Sequence, residues 1–399
     1  MKRAVTAVLL LACFAITAKD ASAAVRPTWT TPYTLNINDY LPWNSGGSAK
    51  AIGMGGAFTA VSDDMGAVEY NPAGLSKISH LDVGVLAIAQ RTNSLDATGA
   101  KKADWTVVPT NLGAAMKVGP VVLGLSAKKP YFNNIYQNFS TLQTQLAPDS
   151  YALYYDKFSD KIETDGLETY VLTGAIDLGH LALGANLNYI KGDVTREVRG
   201  FRTDRAGQSD SQFHSTDRVA FKGYTMDFGA LASFGFLRLG ASAKNMLGKV
   251  DTTQKYYWQD NGAQGSEAMT WIYAPGAVSS SLTKFAPTYS AGAAIVLGKF
   301  FTLDADYVTT NLDSGTDKAL GRLGAELWVI PGFLAGRGGV QSDFKNLSTY
   351  SNPKAMQYFL GAGIKLFALT VDAAAAYSQV TQGSDGGNFT GAVSGTLKF

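Results

Sequence analysis

The chain has 399 residues, of which 46% are hydrophobic, 17% charged and 11% aromatic, with 43 glycines and a single cysteine. A charged fraction well below a quarter departs from the soluble-enzyme norm, and 34 Lys and Arg against 32 Asp and Glu exclude an electrostatic nucleic-acid binder as the leading class. Beyond the N-terminus no stretch approaches the ~20 apolar residues of a membrane helix, so a membrane crossing would have to be made by strands.

Residues 1–23 read as an export signal. Lys2 and Arg3 form its positive end, Val5 to Ala18 its apolar core and Ala21-Ser22-Ala23 its cleavage site. Cys13 follows Leu10-Leu11-Ala12, faintly like a lipobox, but the apolar run continues past it and cleavage after Ala23 is the expectation. Losing Lys2, Arg3, Lys19 and Asp20 leaves 31 basic and 31 acidic residues and no thiol. Neither disulfides nor cofactors are expected in the mature chain.

Residues 24–78 show no alternation. They carry Trp29, Tyr33, Tyr40 and Trp43, then a glycine-rich block from Ala51 to Asp64 and the run Tyr70-Asn71-Pro72-Ala73-Gly74-Leu75. So aromatic a segment is expected to fold inward as a hatch rather than trail as a tail. Gly53, Gly55 and Gly56 mimic a nucleotide loop but lack its strand–helix context. Ser62, Asp63 and Asp64 are expected to cap a short helix through Met65, Ala67 and Val68, ending at Asn71 because the residue before a proline avoids helical geometry. Gly74 then permits a reversal.

From residue 79 to 399 one pattern recurs. In 181–189, Leu181, Leu183, Ala185, Leu187 and Tyr189 face one way, and Ala182, Gly184, Asn186 and Asn188 the other. The same period-two reading gives strands at 79–91, 105–118, 121–129, 168–178, 181–191, 222–233, 236–246, 288–297, 301–308, 319–329, 333–340, 356–366, 369–378 and 388–399. Tight turns at 119–120, 179–180, 234–235, 298–300, 330–332 and 367–368 alternate with long links at 92–104, 130–167, 192–221, 247–287, 309–318, 341–355 and 379–387. Alternating short and long links predict an all-β fold, a 14-stranded antiparallel transmembrane β-barrel in a cell outer membrane with both termini periplasmic. A soluble sandwich would put the apolar face inside. Here one face collects Gly, Ser, Asn and both signs of charge. The last strand alternates Val393, Gly395, Leu397 and Phe399 with polar residues, and its terminal aromatic resembles the signal read by the barrel-assembly machinery, an expected partner for insertion.

The glycine block, the paired Asp63-Asp64 and the Asn71-Pro72-Ala73-Gly74-Leu75 run, placed just before the first strand, resemble the FadL/PorV-like family of outer-membrane barrels. The motif covers about 25 residues; strand number, hatch and terminal Phe399 extend the likeness over the mature chain. The resemblance implies an N-terminal hatch in the lumen with Asn71-Pro72-Ala73 at its core and Gly53, Gly55, Gly56, Asp63, Asp64 and Gly74 around it. For FadL-type members it implies uptake of hydrophobic small molecules such as long-chain fatty acids, which leave sideways through the wall into outer-membrane lipid. PorV-type members serve secretion instead, so a secretion-system partner, or use of the barrel as an adhesin mount, is the alternative.

Alternation places Asp82, Lys117, Lys128, Asp177, Asp227, Arg238, Lys244, Asp304, Asp306, Arg322, Glu326, Arg337, Lys365, Asp372 and Lys398 inside. With Pro331-Gly332 at the centre of its turn, Glu326 falls opposite Arg337. Arg238, Lys244, Arg322 and Arg337 are candidates to receive a substrate carboxylate. The aromatics of 130–167 (Tyr131, Phe132, Tyr136) and 247–287 (Tyr256, Tyr257, Trp258, Trp271, Tyr273) are a candidate landing surface for an apolar ligand. The histidines, His80, His180 and His214, lack metal-ligand spacing, and no catalytic constellation or metal site is expected. A gap in the wall is expected either in strand 105–118, at Pro109 and Gly113, or in 333–340.

Overall fold

A computed structural model describes residues 46–78, 80–95, 101–129, 142–144, 153–163, 167–203, 210–260, 271–273, 282–283, 287–310, 318–343, 356–378 and 388–399. Fourteen antiparallel strands form a closed wall. They are β1 (Leu81–Leu95), β2 (Lys101–Val118), β3 (Val121–Lys128), β4 (Glu168–Asp177), β5 (Leu181–Thr203), β6 (Asp210–Phe234), β7 (Leu237–Asp260), β8 (Thr288–Leu297), β9 (Phe301–Thr310), β10 (Lys318–Ile330), β11 (Leu334–Asp343), β12 (Met356–Leu366), β13 (Leu369–Ser378) and β14 (Asn388–Lys398). The first and last strands pair from Asp82↔Lys398 to Gln90↔Thr390, so no edge is left. Closure is what allows strands to enter lipid, where an unpaired N–H or C=O has no water to turn to.

The outward face is apolar. Val85, Leu112, Leu123, Leu172, Leu183, Leu239, Leu323, Leu360 and Val393 are all exposed. At the end with the tight turns this band meets Phe234, Phe236, Phe300, Phe333, Phe367 and Phe399. At the other end it meets tyrosines set side by side, Tyr170↔Tyr189, Tyr189↔Tyr224 and Tyr358↔Tyr377. From Phe367 to Tyr377 the chain climbs about 25 Å at the usual strand tilt, the height of the apolar band between two aromatic girdles. The polar side lies inward, as in Asp304 and Asp306 of β9 and Asn186 and Asn188 of β5, all buried. No helix among the described residues is long and apolar enough to cross a membrane, which says nothing of strands.

Two expectations need correction. β5, β6 and β7 run to Thr203, back to Asp210 and on to Asp260, well into the spans expected as links. In these extensions the strict apolar alternation of the sequence fades while the ladder pairing continues, with Arg196 in register with Asp217. Short strands at Leu153–Glu163, in the link 130–167, and at Trp271–Tyr273, farther along the link that β7 enters, join this ribbon. The turn after β6 is also one residue later than expected, at 235–236, with Gly235 at φ 62°.

Candidate functional site

Residues 46–78 lie inside the wall. The segment has a five-residue helix α1 (Ala49–Gly53), a four-residue helix α2 (Ala67–Tyr70) and a 3₁₀ turn from Pro72 to Lys77. Ala49, Ala51, Met54, Phe58, Ala67, Val68, Ala73 and Leu75 are buried. Of the candidate hatch span 24–78, residues 24–45 lie outside the described residues.

Glycine lets this backbone lie directly against the wall. A Cβ on Gly184 of β5 would sit 2.4 Å from the Ala73 nitrogen, one on Gly229 of β6 2.2 Å from Asn71 Oδ1, and one on Gly324 of β10 2.2 Å from the Met54 carbonyl oxygen. Gly53 meets Gly361 of β12 at 3.0 Å by the same measure. Gly55 and Gly56 have φ of 69° and 73°, so the turn after α1 needs them for conformation as well. Gly74 has a different role from the expected reversal: it sits inside the 3₁₀ turn, where a Cβ would lie 2.0 Å from the Ser62 carbonyl.

Asn71 joins three segments. Its side-chain NH₂ donates to the Thr59 carbonyl at 2.9 Å and to the Ala230 carbonyl of β6 at 2.9 Å, while its Oδ1 accepts from the Ala73 N–H at 3.2 Å. Helix α2 starts later than expected, with Gly66 at its cap. Two of the three residues expected to cap it are engaged elsewhere, and the third, Asp64, binds at the helix entry. Ser62 donates to the Phe58 carbonyl at 2.5 Å, Asp63 pairs with Lys50 at 2.8 Å, and Asp64 accepts the Gly66 N–H at 2.7 Å.

The lumenal charges are largely paired. Arg337 donates to Glu326 at 2.6 Å and Asp372 at 2.7 Å, in the register expected for Glu326. Lys50 lies 3.5 Å from the same Glu326. Lys128 and Lys244 converge on Glu69 at 2.9 and 2.7 Å. Arg322 donates to Gln341 at 2.8 Å and the Gly56 carbonyl at 3.2 Å. Of the four candidate carboxylate receivers, Arg238 alone has no ion pair or hydrogen bond among the described residues. Burial works against charge on Lys50, yet Asp63 and Glu326 raise its pKa above the ordinary lysine value; burial likewise opposes ionisation of Asp63, and Lys50 nevertheless holds its pKa low. For Asp64 burial prevails, with help from neighbouring Asp63, and lifts it to about 6.

Tyr131, Phe132 and Tyr136 lie outside the described residues. Tyr256, Tyr257 and Trp258 belong to β7, and Trp271–Tyr273 pairs with it at Ile272↔Trp258 and Tyr273↔Tyr257. The candidate landing residues of 247–287 thus lie on one ribbon. Of the two places expected for a wall gap, the one in β2 shows irregular pairing. Its register with β1 shifts between Leu86 and Ala87, opposite Thr110 and next to Pro109. Among the described residues β3 pairs with β2 from Asn111 to Val118, with Lys129 N–H reaching the Thr110 carbonyl above. β11 pairs with both neighbours without a break through its glycines.

No protein-family model matches the sequence, and no curated protein matches it. Solved structures do. The chain is similar to the monoaromatic hydrocarbon channel CymD at 14% identity and a TM-score of 0.58, over 88% of this chain and 97% of that one. It is similar to the Pseudomonas putida toluene transporter TodX at 11% identity and 0.56, over 88% and 98%. For a Pseudomonas aeruginosa FadL homologue the values are 13% and 0.53, over 88% and 98%. Strand number, closure and extent agree throughout, and the chain has the FadL-type barrel fold.

Proposed function

We propose that this chain is an outer-membrane channel for passive entry of small hydrophobic molecules, with residues 24–78 as its hatch. The observation that carries the reading is a membrane-type barrel whose lumen is filled by a segment fitted to wall glycines and bound by wall side chains. An open hydrophilic pore needs no such filling. The similarity to channels described as carrying toluene and monoaromatic hydrocarbons points the same way.

The lumenal charges favour a neutral cargo. Arg337 is held by two wall carboxylates and Lys128 and Lys244 share the hatch carboxylate Glu69, so an apolar molecule gives up no ionic partner there and needs none. A fatty acid would have to draw on Arg238, or on Arg322, whose hydrogen-bond partners are neutral. Capture falls to the ribbon that carries Tyr256, Tyr257 and Trp258, and exit to the β2 wall beside the pairing irregularity at Thr110. The hatch opens by movement around Asn71-Pro72-Ala73.

Mass spectrometry of small molecules retained by detergent-exchanged protein tests the cargo, with Asn71→Ala measured alongside. Retained apolar compounds that the variant loses support the channel. An empty lumen with a co-purifying protein would favour the secretion role.

A further inference from the structure

The turn from Phe58 to Ser62 is the part of the lumenal segment most closely tied to the wall by carboxylate. On β9, Asp306 Oδ2 accepts three hydrogen bonds from it: Phe58 N–H at 2.8 Å, Thr59 N–H at 2.9 Å and the Thr59 hydroxyl at 2.8 Å. Asp304, two residues earlier on the same inward face, is wholly buried below the turn. Neither of its oxygens makes a full hydrogen bond among the described residues, and the Ala60 and Val61 amides interact with it at longer range. Asp306 therefore holds two successive backbone amides and a hydroxyl of one turn, with the buried carboxylate of Asp304 next on the same face.

The neighbouring strands are cut away to admit that turn. A Cβ on Gly240 of β7 would lie 2.2 Å from the Thr59 carbonyl oxygen, and one on Gly292 of β8 would lie 2.1 Å from Asp306 Oδ1 and 3.1 Å from Thr59 Cβ. The turn is also closed on itself, by Ser62 N–H to the Phe58 carbonyl at 3.0 Å, and its Thr59 carbonyl is the one that Asn71 holds. Anything that frees Thr59 from β9 therefore also loosens Asn71.

We propose that Asp304 and Asp306 are the latch of the hatch: they hold the turn Phe58–Val61 by its amides, and hatch release begins there. The latch rests on the gating role proposed above and names the wall residues that control it. A buried amide pair facing a carboxylate is held more firmly than one facing a neutral acceptor, because the bond is charge-assisted. Loss of that charge leaves the same donors buried and poorly satisfied, which favours the unseated turn. Gly240 offers an independent route to the same state. It lies in an ordinary strand, so an added methyl strains only the contact with the turn.

Two variants of the full chain test this by hydrogen exchange in micelles and by apolar-solute uptake in cells. Asp306→Asn and Gly240→Ala should each speed exchange across residues 58–61 at least about tenfold, with strands β11 to β14 unchanged. Gly174→Ala, whose added Cβ would meet nothing within 4 Å, should leave exchange as in the parent. If Asp306→Asn does not fold, Thr59→Val removes one of the three donors and should speed exchange in the same direction. Faster exchange together with faster uptake supports the latch and the gate. Faster exchange with unchanged uptake supports the latch and refutes gating by the hatch. Unchanged exchange in Asp306→Asn, or in Thr59→Val where it stands in, overturns the latch whatever Gly240→Ala does.

Discussion

Replacing Asn71 by alanine removes a side chain that is wholly buried and makes three hydrogen bonds to three backbone segments. At about 1 kcal/mol net per bond, with a further cost for a buried donor or acceptor left unmet, the seated segment should lose about 3–4 kcal/mol. That corresponds to a shift of about a hundredfold to a thousandfold toward the unseated state. The wall should survive, because its ladder bonds do not pass through Asn71. Asn71→Asp separates the contributions. It retains an acceptor for Ala73 N–H but cannot donate to the Thr59 and Ala230 carbonyls, so it should behave like alanine if the cross-links dominate and like the parent if the local cap does. Planar-bilayer conductance, with exchange at residues 71–75, reads both. Alanine and aspartate variants as closed and as protected as the parent would refute the role given to Asn71.

Gly184→Ala puts a methyl 2.4 Å from the Ala73 nitrogen and should raise conductance with the barrel still folded by its gel migration. Arg337→Met strands Asp372 in a buried site, while Glu326 keeps Lys50 and the Trp328 indole N–H, and should cost about 3 kcal/mol, measured by urea unfolding in micelles. Asp64, lifted to about 6 mainly by burial, holds a proton more tightly seated than released. Its contribution to seating is therefore full below the ordinary carboxylate range and lost as pH rises through about 6. Exchange at residues 62–66, corrected for intrinsic rates, should be slower at pH 4.5 than at pH 7.5. Asp64→Asn should flatten that difference.

What could be read from the sequence was local. Period-two alternation between two solvents marks β8 to β14 nearly to the residue, and Pro331-Gly332 fixes the turn that sets Glu326 against Arg337. β5 to β7 outran their expected ends because backbone pairing needs no apolar face once the strands leave the membrane band. The start of α2 was misplaced because the capping residues have competing partners: Lys50 takes Asp63, and the Phe58 carbonyl, one turn earlier, takes the Ser62 hydroxyl. The inward glycines of β5, β6, β7 and β10 read as filler in a linear scan. They acquire meaning only when the segment from 46 to 78 is laid against them. The same holds for Asp306, whose partners lie about 250 residues earlier in the chain.

Passage of apolar molecules is tested most directly in cells, since a bare bilayer already lets small hydrocarbons through. Labelled toluene is supplied to cells that lack such a channel and consume toluene inside, with and without this protein in their outer membrane. The account predicts faster uptake with the protein, a further rise for Asn71→Ala, and no entry of a small sugar through the parent. Equal toluene uptake with and without the protein would contradict it.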